Sequence, residues 1–164
     1  MDDRGFTIIE LVLVIIVAAV IAAVAVPQFA RYWAGIKASN AAMKIASDIR
    51  YAQNRATTTQ QRSQVNFAGD GKSYTINSCA TYTSACACTS GWTPVKTISF
   101  TSGEFLYVTV SSTVNPLEFD SLGRPYSTGV CYPAASAGAT ITASYSDSTK
   151  TIMVTTQTGM VQVN

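Results

Sequence analysis

The sequence predicts an α+β protein in which one long N-terminal helix, membrane-spanning in its first half, lies against an antiparallel β-sheet head. Three observations predict it. An apolar run, FTIIELVLVIIVAAVIAAVAV, fills residues 6–26. Small and branched apolar residues then recur at steps of three and four from Ala38 to Ala56. After residue 63 the pattern changes to short segments rich in Val, Ile, Thr and Tyr, separated by Gly, Asp and Ser turns.

The apolar run is about 31 Å long as a helix, enough to cross a hydrocarbon core. Glu10 is the only charge inside it. A carboxylate at membrane depth is costly without a partner, so Glu10 marks a functional position. Two simpler readings compete. Ala23-Val24-Ala25 resembles the cleavage site of an ordinary secretory signal peptide. Against this, the segment Met1-Asp2-Asp3-Arg4 is not net positive, and Glu10 would sit at the start of the apolar region. A plain membrane anchor leaves Glu10 unexplained.

Pro27 closes the strongly apolar run and is expected to kink or loosen the preceding turn of a continuous helix. Beyond it, Ala38, Ala42, Ile45, Ile49, Ala52 and Ala56 form one face of an amphipathic helix. Lys37, Lys44, Arg50 and Arg55 lie mainly off that face. The run Thr57-Thr58-Thr59 favours ending the helix nearby, because consecutive β-branched residues lose side-chain freedom in a helix. The amphipathic segment is assigned to residues 28–62 and the β-rich head to 63–164.

In the head, Gln64–Phe67 and Ser73–Asn77 flank a turn at Gly69-Asp70-Gly71. Val95–Thr101 and Phe105–Ser111 flank one at Ser102-Gly103, and Leu117–Asp120 precedes the turn Ser121–Pro125. Ala139–Tyr145, Thr151–Thr156 and Met160–Val163 read as a meander. The stretch from Ser78 to Thr93 reads as a long loop. The Ile45, Ile49 and Ala52 face of the helix is expected to lie on the sheet.

Cys79, Cys86, Cys88 and Cys131 all fall in the polar head. An even count on an exported domain reads as disulfides. Three pairings are possible. Cys86 with Cys88 is sterically poor, so one of them is expected to pair with Cys79 and the other with Cys131. Free thiols are an alternative. A four-cysteine zinc site is another, although it normally wants two close pairs.

Enzymatic chemistry finds little support. Histidine is absent, which removes the commonest general base and metal ligand. No nucleophile elbow, P-loop or dinucleotide fingerprint occurs. Glu118 and Asp120 share a face of a predicted strand and could bind calcium with Glu104 or Asp147. No calcium loop accompanies them, and a solvated strand face is the preferred reading. No cofactor or metal is expected.

The residues Arg4-Gly5-Phe6-Thr7-Ile8-Ile9-Glu10-Leu11 resemble the class III leader motif of type IV prepilins and pseudopilins. This resemblance implies a pilin fold and a leader at residues 1–5. It implies cleavage between Gly5 and Phe6 by a prepilin peptidase, and N-methylation of the Phe6 amine. The filament-core helix is then residues 6–27. Glu10 would pair with the cationic Phe6 amine of a neighbouring subunit and set register, an arrangement favoured where the dielectric is low.

The run Lys44–Ala56 is similar to the helix segment of the GspH/FimT family of minor pseudopilins and minor pilins. Phe119–Pro125 resembles that family's late-strand turn, and Thr158–Val161 its final strand. The resemblance implies a structural subunit of a type IV pilus or a type II secretion pseudopilus. Its partners would be other pilin or pseudopilin subunits, the prepilin peptidase, an inner-membrane assembly platform and, before assembly, membrane lipid. It would start as a single-pass bacterial inner-membrane protein with a periplasmic head.

Charge distribution bears on two of these expectations. Net charge is only +2, yet Gln28 to Arg62 holds six basic residues and one acid. The positive-inside rule would put that basic side in the cytoplasm. The cysteines and the leader argue the opposite orientation, which is preferred. The alternative function is a minor pilin whose head binds a ligand or DNA. Tyr74, Tyr82, Trp92, Tyr107, Tyr126, Tyr132 and Tyr145 could serve an adhesive surface. The basic residues sit on the helix, and Gln157 to Asn164 has no Lys or Arg, which argues against nucleic acid.

Overall fold

The computed structural model describes residues 7–81, 88, 91–127 and 138–164. Helix α1 runs from Ile8 to Thr59, about 78 Å at the usual rise. Thr7 caps it in extended backbone, its side chain accepting from the Glu10 amide. Pro27 lies inside α1 without ending it. The helix stops at Thr59 rather than Arg62, because Gln60 turns into left-handed backbone at φ 54°. The hydroxyls of Thr57, Thr58 and Thr59 donate to carbonyls of Asn54 and Arg55 in the last turn.

Nine strands follow among the described residues: β1 Arg62–Phe67, β2 Ser73–Cys79, β3 Thr93–Ser99, β4 Thr109–Ser112, β5 Leu117–Phe119, β6 Pro125–Ser127, β7 Ala139–Tyr145, β8 Ser148–Val154 and β9 Val161–Val163. They form a five-stranded sheet in the order β3-β2-β1-β5-β6 and a four-stranded sheet in the order β4-β7-β8-β9. All pairings are antiparallel. The expected meander is the second sheet, with β7 and β8 joined through a tight turn at Ser146 and Asp147.

Two strand expectations change. Phe105 does not begin a strand: Gly103–Phe105 is a single 3₁₀ turn, and Tyr107 takes φ 69° before β4 starts at Thr109. The short strand β6 pairs with β5 where only a turn was expected. The two sheets meet at Gly71, whose carbonyl accepts from the Val110 amide at 2.8 Å. Gly71 has φ 67°, and a Cβ there would come within 2.8 Å of the Val110 carbonyl oxygen, so close approach requires glycine.

The C-terminal half of α1 packs across both sheets. Ala38, Ala42, Ile45, Ile49, Ala52 and Ala56 are fully buried, as the periodicity predicted. Ala41 and Ala46 join them and widen the buried stripe. This face meets Val65, Ile76, Leu117 and Phe119 of the first sheet and Ile141, Ala143 and Ile152 of the second. Alanine keeps the helix backbone close to the strands, which a stripe of larger residues would prevent. An aromatic row, Phe67–Tyr74–Phe100–Phe105, extends this core with ring centroids 5.7, 5.7 and 6.2 Å apart.

Candidate functional site

The N-terminal half of α1 leaves the head and carries its apolar side chains unprotected. Ile8, Leu11, Leu13, Ile15, Ile16, Val20, Ile21, Val24 and Val26 are all exposed, Ile8 at 83%. This stretch is long and apolar enough to cross a membrane. Covering one such aliphatic side chain is worth about 1.5–3 kcal/mol, so an uncovered helix of this length needs lipid or other helices around it.

Glu10 sits in the first turn of that helix, exposed, its backbone amide donating to the Thr7 hydroxyl oxygen at 3.3 Å. Thr7 and Glu10 thus stand at the N-cap and third helical positions, the spacing of a capping box. Gly5 and Phe6 lie outside the described residues, as does the rest of the leader.

At the other end of the span the helix changes character within two turns. Phe29, Tyr32 and Trp33 are exposed, and Phe29 meets Trp33 edge-on at 5.8 Å. Arg31 lies among them, and Lys37 follows, 4.7 Å from the Tyr145 ring centroid. Aromatic and basic residues at this position match the usual composition of a membrane–water boundary.

One cluster of charged groups, centred on Asp48 of the helix, serves the fold. Asp48 is buried and receives Lys44, Lys96 at 2.8 Å and the Tyr74 hydroxyl at 2.7 Å. Burial pushes the Asp48 carboxyl up, but the hydrogen bonds from Lys44, Lys96 and Tyr74 together hold it below its ordinary value. Burial, reinforced by the Asp48 charge, drives the Tyr74 phenol far above its ordinary range. The Asp48 carboxylate raises Lys96.

Glu118 corrects the expectation of a solvated face. It is 2% exposed, stands opposite Gln64 in the β1–β5 register, and pairs with buried Arg62 at 2.8 Å. Asp120 does not share its role: it accepts from the backbone amides of Leu122 and Arg124 and pairs with the Arg124 side chain at 2.7 Å, holding the turn. The two carboxylates therefore do not converge. Among the described residues, no group of three or more His, Cys, Asp or Glu is arranged to hold a metal.

Cys79 and Cys88 form a disulfide with Cα atoms 6.0 Å apart. Cys86 and Cys131 lie outside the described residues. Of the candidate adhesive aromatics, Tyr74 is core, Tyr145 is half-buried against Lys37, and Tyr107 is exposed. Tyr82 and Tyr132 lie outside the described residues.

Gln53 is the residue whose role the sequence did not announce. Its amide donates to the Gly123 carbonyl at 2.8 Å and to the Thr158 carbonyl at 3.0 Å. One helical turn earlier, Arg50 donates to the Val161 carbonyl at 2.8 Å. The helix segment, the Phe119–Pro125 turn and the Thr158–Val161 segment that leads into β9 are thus parts of one junction.

Comparison with known proteins agrees with this arrangement. The prokaryotic N-terminal methylation motif matches residues 1–26. The family model described as type II transport protein GspH matches residues 41–159. No curated protein matches by sequence. The fold is similar to that of the type IV minor pilin FimU of Pseudomonas aeruginosa, with TM-score 0.54 and 15% identity, over 77% of this chain and 87% of that one. It is also similar to the minor pseudopilin EpsH of the Vibrio cholerae type 2 secretion system, with TM-score 0.55 and 10% identity, over 78% of this chain and 96% of that one. With the family model covering the head and its helix, and the methylation motif covering the apolar helix, the chain belongs to the GspH family of type II transport proteins.

Proposed function

We propose that this chain is a structural subunit of a pilus or pseudopilus, stored in a membrane through α1 and then packed by the same helix into a filament. The observation that carries the reading is the contrast within one helix. The second half is buried by the head, while the first half presents bare aliphatic side chains and a single carboxylate, Glu10. Lipid satisfies the aliphatic surface before assembly, and neighbouring helices satisfy it afterwards.

In this reading a prepilin peptidase cuts between Gly5 and Phe6, and the new Phe6 amine is N-methylated. An α-amino group titrates near about 8 and keeps its charge on methylation, so it offers Glu10 a cation on a neighbouring subunit. The pair sets the register between helices. The chain spans the bacterial inner membrane once, with the head in the periplasm, and an assembly platform extracts it. The role is structural and not catalytic.

Among the described residues, most basic side chains near the helix–head junction are taken up by the fold, which weighs against the alternative of DNA binding. Lys44, Arg50, Arg62 and Arg124 are engaged within the fold, on Asp48, the Val161 carbonyl, Glu118 and Asp120. Co-expression with a prepilin peptidase tests the processing step. Intact-mass analysis should find a chain beginning at methylated Phe6. A mature chain beginning at Val26 or Gln28 would replace this reading with an ordinary signal peptide.

A further inference from the structure

The tip of the β7–β8 hairpin reaches down to the first helical turn beyond the apolar span and leaves a cleft there of about 250 Å³. One wall is the helix from Pro27 to Ala34, with Arg31; the other is Ser146, Asp147 and Ser148. Arg31 and Asp147 therefore face one small space with opposite charges. Both are exposed, and among the described residues neither is in an ion pair. Two hydroxyls stand beside them.

The height of this cleft fixes what it meets. Arg31 lies five residues past Val26, about 7.5 Å along the helix from the end of the apolar run. The polar layer on each side of a hydrocarbon core is roughly 5–7.5 Å thick. Helical side chains also lean toward the N-terminus, which here is toward the bilayer. Phe29, Tyr32 and Trp33 occupy the same level.

From this geometry we infer that the cleft binds the head group of an amine-bearing zwitterionic phospholipid, a phosphoethanolamine. Arg31 and the Ser146 and Ser148 hydroxyls take the phosphate, and Asp147 takes the primary ammonium. The inference rests on the membrane-spanning reading of α1 and adds to it a lipid class and a binding site. A phosphatidylglycerol head group offers Arg31 the same phosphate but carries no cation to meet Asp147. A choline head group carries no N–H to donate to it.

The test uses the purified full-length chain, reconstituted into phosphatidylcholine vesicles doped with phosphatidylethanolamine or with phosphatidylglycerol. Lipid retained per chain is measured after mild detergent extraction. Phosphatidylethanolamine should be retained roughly threefold over phosphatidylcholine, the scale of an exposed ion pair. Asp147→Asn should erase that preference. Arg31→Gln should lower retention of both lipids, and Arg31→Lys should restore most of it. Equal retention by the wild type, or a preference that survives Asp147→Asn, overturns the inference. So does stronger retention of phosphatidylglycerol that rises in Asp147→Asn. A chain that fails to enter any of the vesicles refutes the membrane-spanning reading itself, and the lipid site with it.

Discussion

The Gln53 side-chain amide donates to the Gly123 carbonyl at 2.8 Å, across a sequence separation of 70 residues. It also reaches the Thr158 carbonyl, so one helix residue ties together two turns that come from different sheets. Gly159, beside it, has φ 66°, and a Cβ there would sit 2.6 Å from the Gln53 amide nitrogen. Gln53→Ala should therefore destabilise the head by about 1–2 kcal/mol, chiefly the cost of leaving the partly buried Gly123 carbonyl without its donor, since the Thr158 carbonyl is open to water. Gly159→Val should cost more, through both strain and displacement of Gln53. Denaturant unfolding followed by tryptophan fluorescence reads both.

The Arg62–Glu118 pair predicts a non-additive result. Arg62→Met alone removes the buried cation that faces the Glu118 carboxylate and should cost about 3–5 kcal/mol. Adding Glu118→Leu should recover much of that loss, because the double variant buries no charge at this site. Additive losses in a double-mutant cycle would contradict this account of the pair.

Asp48 predicts an acid-dependent step in stability. Its carboxyl is held below the ordinary value of 3.8 in the folded chain. Between the folded and unfolded values the unfolded chain binds more protons, so stability rises with pH there. The contribution is complete above the unfolded value and is lost as pH falls through the folded one. Asp48→Asn should lower stability at neutral pH and flatten this acid limb. An unchanged pH profile in Asp48→Asn would show that other carboxylates set the acid limb.

The disulfide predicts a local effect. Cys79 and Cys88 close a loop with a sequence separation of nine. Loop-closure entropy for that length gives about 2–3 kcal/mol of stabilisation. Proteolysis without reduction, followed by mass spectrometry, should recover a linked Cys79–Cys88 peptide. Cys88→Ser should lower the unfolding midpoint accordingly.

Much of this architecture is legible in the sequence because it rests on local periodicity. The Ala38–Ala56 stripe repeats at helical spacing and is the buried face; Ala139–Tyr145 alternates and is the strand β7 as expected. Glu118 was not legible as a buried charge. Its partner Arg62 lies 56 residues away, and only the β1–β5 register brings them together. Asp48 was hidden for the same reason, since Lys96 and Tyr74 come from other elements. Phe105 reads as strand by composition, but Gly103 and Tyr107, both at positive φ, turn the chain twice before β4. The candidate site divides the same way. The apolar span and Glu10 stand out in the sequence, whereas the Arg31–Asp147 cleft depends on where a hairpin tip lands.

The central claim is that α1 builds a filament whose register Glu10 sets. Glu10→Ala, expressed beside its partner subunits, tests it through the amount of chain recovered in the sheared or cross-linked filament fraction. The account predicts a variant that is processed, folded and membrane-inserted like the wild type but absent from that fraction. Recovery of Glu10→Ala in filaments at the wild-type level would contradict it.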